Sequence, residues 1–311
     1  VRGGRGAGSR QANPIEEVAQ TRVVASIGDA RSSEGRKLER AYGHLSEPMP
    51  LTGLPVSADA VRGLLAPWFP WMHEAVDAVY QDLRLAEIAG RPWLKLRPLL
   101  LEGPAGCGKS FFAEKLAELL GGRVARLDAG GSSDNRLLAG TARGWAGAQP
   151  AYPVFAIART GVANPIILLD EVDKARASQN GDLHATLLGM LDAKTASRWS
   201  DECLMGPCDL SHVSWLMTAN DASDLPKPLK SRVRRVRVDV PGEQHADDAL
   251  ASISVDIRHQ LDWPADAALP VAPEVWFELR ESLAAGADLR AIAGAIHTAI
   301  AHGVKRPQTV H

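Results

Sequence analysis

The residues GPAGCGKS, from Gly103 to Ser110, restrict the fold of this chain more than any other stretch. They fit the pattern G-x-x-x-x-G-K-[ST], and they stand between a short apolar run, PLLLEG, and a helical run, SFFAEKLAELLGG. Glycines allow backbone N–H groups to converge on phosphate oxygens, and the first turn of a helix adds a positive partial charge. The stretch therefore predicts a strand, a phosphate-binding loop and a helix, in that order.

This loop and the residue after it are the predicted nucleotide contacts. They comprise Gly103, Pro104, Ala105, Gly106, Cys107, Gly108, Lys109, Ser110 and Phe111. We expect Lys109 to reach the β- and γ-phosphates of ATP and the Ser110 hydroxyl to bind Mg²⁺. Cys107 is an unusual residue for such a loop. Its thiol is either a group whose oxidation would block the nucleotide or, as we favour, a small tolerated side chain.

The run IILLDEVDK supplies a second set of polar residues, because an apolar strand ends there in Asp170 and Glu171. Carboxylates at the carboxyl end of such a strand face the ligand crevice of a parallel sheet. We expect Asp170 to hold Mg²⁺, directly or through water, and Glu171 to orient and deprotonate the attacking water. An isolated Asp-Glu pair would be a solvated strand end, but its place after a phosphate loop favours the catalytic interpretation. Asp173 and Lys174 are predicted to be surface or interface residues.

Five apolar runs alternate with helical patterns along the middle of the chain. They are PLLLEG, RVARLD, NPIILLD, HVSWLMTAN and RVRRVRVDV. This alternation predicts a doubly wound α/β domain with a five-stranded parallel sheet. After Pro241 the patterns are helical only, which predicts a small all-α lid domain.

The chain therefore divides into three predicted parts. Residues 1–50 form an N-terminal extension that is partly disordered, because residues 1–12 are rich in Gly, Arg and Ser and residues 13–50 have only weak helical patterns. We expect this extension to be loosely attached. Residues 51–241 form the α/β nucleotide-binding domain, and residues 242–311 form the helical lid.

Bulk composition narrows the functional classes. The chain has 311 residues and a formal net charge of −2, so no global positive field draws it to nucleic acid. No apolar run approaches the roughly 20 residues of a membrane span, and we expect no membrane association. The three cysteines, Cys107, Cys203 and Cys208, offer no disulfide framework, which favours a reducing, cytoplasmic location.

Taken together, these segments resemble the AAA+ ATPases, and most closely the ATPase module of the Lon family. NPIILLDEVDK is followed by GDLHATLLGMLD, then by CDLSHVSWLMTAND, and then by DLPKPLKSRVRRVRV. Segments of these types occur in this order and with similar spacing in Lon-type modules. The resemblance covers residues 72–300 and implies a P-loop AAA+ domain with ATP and Mg²⁺ as its cofactors.

The resemblance implies roles for polar residues outside the two motifs. Asn220, which ends the TAN strand, is similar to the sensor-1 residue that helps to place the attacking water. Arg232, in PLKSR, is similar to the arginine finger that reaches ATP bound to a neighbouring subunit, with Arg234 or Arg235 as reserve candidates. A finger that acts between subunits implies a homo-oligomeric ring, and the family implies a hexamer.

The lid departs from the family pattern. Many AAA+ lids carry an arginine just before the turn that corresponds to ADLR here, and that arginine touches the γ-phosphate. Ala287 occupies this position in the present chain, and Arg290 is the nearest arginine. The sequence leaves open whether any sensor-2 function remains.

The stretch ARGWAGAQPAYP places a large aromatic residue, Trp145, among Gly, Ala and Pro. Such a stretch predicts a loop. In Lon-type modules the corresponding loop projects into a central pore and grips an unfolded polypeptide, so Trp145 and Ala146 are the implied gripping pair. The alternative is that Trp145 packs in the core or at a subunit seam, since tryptophan is highly buried on average.

We therefore expect Mg²⁺-dependent ATP hydrolysis by an oligomeric ring that unfolds or remodels a protein substrate. Peptidase activity is not expected, because a Lon protease domain with its Ser–Lys pair would follow the lid and the sequence reaches His311 only roughly where that domain would begin. A separate peptidase or partner protein could receive the product. The alternative function is an ATP-driven switch or loader that acts on nucleic acid in a mobile-element or defence system. A scaffold that binds ATP without hydrolysing it is a third possibility, which the set of polar residues argues against.

Overall fold

The computed structural model describes residues 19–303, except residues 55, 122, 131–133, 176, 178–180 and 265–266. The predicted disorder of residues 1–12 falls outside this part of the chain.

Five strands form the central sheet, and all neighbouring pairs in it are parallel. Four further strands form two small antiparallel pairs, β1 with β2 and β6 with β7. The bounds of the strands are β1 Gln20–Arg22, β2 Pro48–Pro50, β3 Leu99–Glu102, β4 Val124–Asp128, β5 Ile166–Asp170, β6 Trp199–Asp201, β7 Gly206–Cys208, β8 Ser214–Ala219 and β9 Arg234–Arg237. The order in the central sheet is β4-β5-β8-β3-β9. This confirms the predicted five-stranded parallel sheet.

Helices cover both faces of the sheet and form the C-terminal part of the described chain. Their bounds are α1 Ser33–Tyr42, α2 Ala58–Trp68, α3 His73–Ile88, α4 Lys109–Leu119, α5 Arg136–Ala139, α6 Tyr152–Thr160, α7 Leu183–Leu191, α8 Ala193–Ala196, α9 Lys227–Arg232, α10 Ala246–Gln260, α11 Pro273–Ala284 and α12 Leu289–Gly303. Short 3-10 helices lie at Gly43–Ser46, Pro70–Met72, Val172–Lys174 and Glu243–His245. Within the described residues, no helix combines the length and the apolar character needed to span a bilayer.

Strand β5 shows how the sequence builds a core on each face of the sheet. Its side chains are apolar up to Asp170 and all of them are buried. Ile167 and Leu169 join the apolar cluster on one face, whereas Ile166 and Leu168 join the cluster on the other. Because successive side chains of a strand point to opposite faces, a continuous apolar run is what a sheet covered on both sides requires.

The helices α10, α11 and α12 form the lid, which has an apolar cluster of its own. Two hydrogen bonds tie this lid to the α/β domain. The Ser252 hydroxyl donates to the Trp68 carbonyl (2.9 Å), and the Leu289 amide donates to the carbonyl of Gly106 (3.0 Å). The second bond reaches the predicted phosphate loop directly, so the start of α12 lies against that loop.

The segment from residue 19 to residue 51 is part of the core, and the expected loose attachment is wrong for this segment. Val23, Val24 and Leu45 are at most 1% exposed and lie in the larger apolar cluster. The Ala25 amide donates to the Pro207 carbonyl (3.0 Å), so the segment runs beside β7. Its scattered apolar residues gave only a weak helical pattern because they are spread over turns and short strands.

We expect Leu45→Ala to lower the free energy of unfolding by about 3 kcal/mol, because it leaves a cavity at a fully buried site. Leu85→Ala is the matched control, since Leu85 is 56% exposed and its truncation should cost less than about 0.5 kcal/mol. Urea denaturation followed by circular dichroism measures both values. Equal losses for the two variants would mean that the segment does not contribute to the core.

Candidate nucleotide-binding site

The loop between β3 and α4 has a backbone that only glycine tolerates at several points. Gly106 (φ 73°) and Gly108 (φ 101°) lie in the left-handed region, which costs glycine little. At Gly103 a Cβ atom would lie 1.8 Å from the Val238 carbonyl oxygen, so the loop passes too close to β9 for any side chain. These constraints explain why glycines stand at positions 103, 106 and 108 of the motif.

Lys109, the first residue of α4, is only 7% exposed. Its ammonium group donates to the carbonyls of Gly103 (2.7 Å) and Pro104 (2.7 Å) and to the side-chain oxygen of Asn220 (3.2 Å). These acceptors are neutral. A buried cation held by neutral oxygens keeps its positive charge available for an anionic ligand, which is what a phosphate-binding lysine requires.

Asp170, at the end of β5, is 6% exposed and accepts three side-chain hydrogen bonds. Its Oδ1 accepts from Ser110 Oγ (2.9 Å) and from Thr218 Oγ1 (2.7 Å), and its Oδ2 accepts from Arg126 Nη2 (2.5 Å). The structure thus brings together Ser110 and Asp170, which the sequence predicted as the metal ligands. A hydroxyl beside a carboxylate is a pair of hard oxygen donors, and this chemistry fits Mg²⁺.

Glu171 follows directly and has a backbone that is rare for a side chain of its size (φ 54°, ψ 44°). Its amide donates to Thr218 Oγ1 (3.0 Å), and its Oε1 accepts from Lys174 Nζ (2.5 Å). Residues other than glycine keep a left-handed backbone only where the surrounding structure holds them in it, and such residues cluster at functional sites. Here the left-handed turn directs the carboxylate toward the same crevice as Asp170.

Asn220 lies just after β8, beside the start of the phosphate loop. Its side chain contacts Lys109, and its backbone amide donates to Asp173 Oδ2 (3.1 Å). Lys174 is exposed, as predicted for a surface residue, and pairs with Glu171, whereas the half-buried Asp173 orders the turn after β8. The structure makes these two residues supports for the neighbouring predicted catalytic groups.

A cavity of about 600 Å³ joins these residues to the lid. Ala105, Gly106, Gly108, Lys109, Ser110 and Phe111 line it from the loop side, together with Asp170, Glu171 and Asn220. Its apolar wall is made by Trp71, Ile253, Ile257, Leu289 and Ala293. A cavity with a polar end and an apolar end suits a ligand that combines phosphates with an aromatic base.

Three of the predicted contact residues do not line this cavity. Gly103 and Pro104 lie at the start of the loop, where their carbonyls hold Lys109. Cys107 is 0% exposed and belongs to the apolar cluster on the α4 side of the sheet. Residues that line the cavity and residues that do not are thus interspersed along the loop, and the motif alone does not reveal which are which.

Sequence reasoning missed several residues that line the cavity. Trp71 donates its indole N–H to the Cys107 carbonyl (3.1 Å), and Thr218 and Arg126 contact Asp170. Trp71 stands in an aromatic run, which packing alone explains, and Arg126 lies in a strand with other charges, so neither gave a local signal. Of the two lid candidates, Arg290 lines the cavity, whereas Ala287 packs against the lid core.

Three predicted functional residues lie away from the cavity. Arg232 ends α9 with its side chain 38% exposed and 3.9 Å from Asp192. Trp145 is 72% exposed on a loop that closes through hydrogen bonds between Thr141 and Gln149 (2.8 and 3.2 Å), and Ala146 beside it is also exposed. Of the two alternatives for Trp145, packing in the core of its own chain is therefore wrong.

The sheet order, the loop and the cavity define a P-loop nucleotide-binding domain with a helical lid. Residues 99–240 match the family model described as "ATPase family associated with various cellular activities (AAA)". The chain thus carries an AAA+ ATPase domain, and this domain resembles the ATPase module of Lon proteases.

The similarity to individual proteins covers this module. The Lon protease of Clostridium beijerinckii is 39% identical over 183 residues, which are 59% of this chain and 23% of that protein. The Lon protease of Methylocella silvestris is 32% identical over 248 residues, which are 74% of this chain and 30% of that protein. The chain therefore spans less than a third of the length of these curated relatives.

A solved structure supports the fold. It is described as "Closed State CryoEM Reconstruction of Hsp104:ATPyS and FITC casein", and it superposes with a TM-score of 0.61 over 79% of this chain and 46% of that chain. The sequence identity is 18%. At that identity the likeness concerns the architecture alone.

We expect Cys107 in the folded protein to react with iodoacetamide at pH 8 at least about 100-fold more slowly than in the unfolded chain. Burial raises the pKa of its thiol above the usual value, despite the nearby Lys109 ammonium, so the reactive thiolate is scarce at this pH. Mass spectrometry of alkylated peptides gives both rates. Labelling at the unfolded rate would support the redox interpretation instead.

Proposed function

We propose that this chain binds ATP with Mg²⁺ and hydrolyses it at the cavity between the α/β domain and the lid. The observation that carries this proposal is the convergence of Lys109, Ser110, Asp170 and Glu171 on one cavity. The lid closes the apolar end of the same cavity, where the adenine base would pack against Trp71.

In the proposed reaction, the oxygen of a water attacks the γ-phosphorus, and the bond from that phosphorus to the β–γ bridging oxygen breaks. Glu171 accepts the proton of the water, and ADP and inorganic phosphate leave. Lys109 would stabilise the charge on the phosphate oxygens, and Asn220, which accepts a hydrogen bond from Lys109, would orient the water with its side-chain amide. Ser110 and Asp170 would hold Mg²⁺, whose charge offsets that of the phosphates when it is bound.

Glu171→Gln should lower the rate of phosphate release at least about 100-fold while ATP binding persists, because an amide cannot accept the proton. Glu118→Gln on α4 is the matched control, since that side chain is 72% exposed and should leave the rate unchanged. A coupled phosphate-release assay measures turnover, and a fluorescent ATP analogue measures binding. A Glu171→Gln enzyme with normal turnover would refute the assignment of the general base.

We further propose that copies of this chain assemble head to tail into a ring, with six subunits as the family resemblance implies. Arg232 supports this proposal, because it ends α9 with an exposed side chain and does not line the cavity of its own chain. A head-to-tail contact that closes by rotation produces a ring. In such a ring, Arg232 would stabilise the γ-phosphate charge at the neighbouring site.

The use that we propose for the energy of hydrolysis is the unfolding or remodelling of a protein substrate. The Trp145 loop supports this proposal, because its exposed ring is mounted on a well-anchored base. Arg143 donates to the carbonyls of Gly28 (2.5 Å), Cys203 (2.9 Å) and Leu204 (3.1 Å). A flat apolar ring can hold any polypeptide by burial without demanding a sequence, and Ala146 leaves it room. The lack of peptidase activity and the cytoplasmic location remain predictions.

Trp145→Ala should weaken binding of fluorescein-labelled casein at least about tenfold, because it removes the largest apolar contact. The measurement uses fluorescence anisotropy in the Glu171→Gln background with saturating ATP, which holds the nucleotide state constant. Trp145→Phe should retain most of the affinity, and Phe277→Ala in the lid, which removes another exposed ring (64%), should retain all of it.

Two outcomes would contradict the protein-remodelling role. One is an unchanged casein affinity in Trp145→Ala. The other is nucleic acid that co-purifies with the Glu171→Gln protein regardless of residue 145, which would favour the alternative of a switch or loader acting on nucleic acid.

A further inference from the structure

Arg126 on β4 connects two carboxylates on the wall of the cavity. Its Nη2 donates to Asp170 Oδ2 (2.5 Å), and its Nη1 donates to Glu114 Oε1 on α4 (2.5 Å). Neither of the two sequence motifs contains Arg126, and the proposed hydrolysis does not use it. Its position is nevertheless fixed, since its own strand pairs with β5 at Leu168 and its carbonyl accepts from the Tyr152 hydroxyl (2.6 Å).

The hydrogen bond from Arg126 to Asp170 occupies Oδ2, the carboxylate oxygen that would face a metal. Asp170 Oδ1 already accepts from Ser110 and Thr218, which leaves Oδ2 as the less crowded oxygen. In this structure the guanidinium of Arg126 holds that oxygen. A permanent positive charge therefore stands beside the carboxylate that the proposed function assigns to Mg²⁺.

Arg126 lies among acidic residues that would repel a polyphosphate. Besides Asp170, the acidic residues Glu114, Asp128, Glu171 and Asp256 line the same cavity. A polyphosphate that enters such a cavity without a metal is repelled by this acidic wall, because like charges in a partly buried site are weakly screened. Arg126 offsets part of that repulsion at Asp170, which also accepts from Ser110 at the end of the phosphate loop.

We propose that Arg126 is a counter-ion that substitutes for the metal at Asp170 until Mg²⁺ binds, and that Glu114 retains the guanidinium afterwards. The two carboxylates are bonded through different nitrogens, so the bond to Asp170 can break while the bond to Glu114 remains. Arg126 is thus a positioning residue that acts through Asp170. The inference rests on the proposed binding of ATP and Mg²⁺, and it concerns the order and metal dependence of that binding.

The test measures nucleotide binding and not turnover. The dissociation constant of a fluorescent methylanthraniloyl derivative of ADP is measured in EDTA and in saturating Mg²⁺. In Arg126→Met the ratio of the dissociation constant in EDTA to that in Mg²⁺ should be at least about tenfold higher than in the unsubstituted chain. Nucleotide binding in EDTA is weakened because the site loses a cation. Nucleotide binding in Mg²⁺ is strengthened because the metal no longer competes with the guanidinium for Asp170. Arg126→Lys, which keeps the charge, should restore much of the original ratio. Arg123→Met is the matched control, since Arg123 is exposed and lies outside the cavity wall.

A second readout separates the two carboxylate partners. At fixed nucleotide, the Mg²⁺ concentration that gives half-maximal binding should fall in Arg126→Met. It should rise about threefold in Glu114→Gln, because Asp170 is then the one salt-bridge partner that the guanidinium keeps among the described residues. General damage to the fold would not shift the Mg²⁺ midpoints of Arg126→Met and Glu114→Gln in opposite directions.

The outcomes distinguish this inference from the proposed function. If the unsubstituted chain binds no nucleotide in either buffer, the proposed function fails and the inference fails with it. If it binds nucleotide but the ratio is the same in Arg126→Met as in the unsubstituted chain, the inference alone is overturned. An equal loss of affinity in EDTA and in Mg²⁺ also overturns it, because Arg126 would then contact the phosphates or support the fold.

Discussion

The parallel pairing of β3, β8 and β5 is the constraint on which the rest of this molecule depends. Parallel strands all end at the same edge of the sheet, so the residues that follow them meet there. The phosphate loop follows β3, Asn220 follows β8, and Asp170 ends β5. The hydrogen bond from Lys109 to Asn220 joins the ends of the neighbouring strands β3 and β8, and the bond from Ser110 to Asp170 reaches from β3 past β8 to β5. A change of strand order would separate these groups even if every residue stayed the same.

The carboxylates of the site are paired with positively charged side chains. Each carboxylate that the proposed reaction needs has a cationic partner close by: Arg126 holds Asp170, and Lys174 holds Glu171. Lys109, in contrast, is buried among neutral oxygens. The acidic groups are thus partly neutralised while the lysine keeps its charge, so the polar end of the cavity can accept an anion despite its many carboxylates.

The lid and the N-terminal segment contribute through direct packing. The Leu289 amide donates to the Gly106 carbonyl, and a Cβ atom at Gly106 would lie 1.9 Å from the Asp288 carboxylate, so α12 lies directly against the phosphate loop. In the N-terminal segment, the Gly28 carbonyl accepts from Arg143 at the base of the Trp145 loop. The nucleotide cavity and the exposed loop are therefore both attached to elements outside the α/β sheet.

The sequence by itself determined the phosphate loop, the five strands and the helical character of the lid. These features are encoded locally, because glycine spacing, apolar runs and helical periodicity involve residues that are close along the chain. Only the tertiary structure decided that Arg126 reaches Asp170, 44 positions away, and that Trp71 and Arg290 line the cavity. It also decided that residues around Val24 are buried and that Trp145 is exposed. These outcomes follow from strand order and from the docking of the lid, and a contact between distant residues leaves no periodic signal in the sequence.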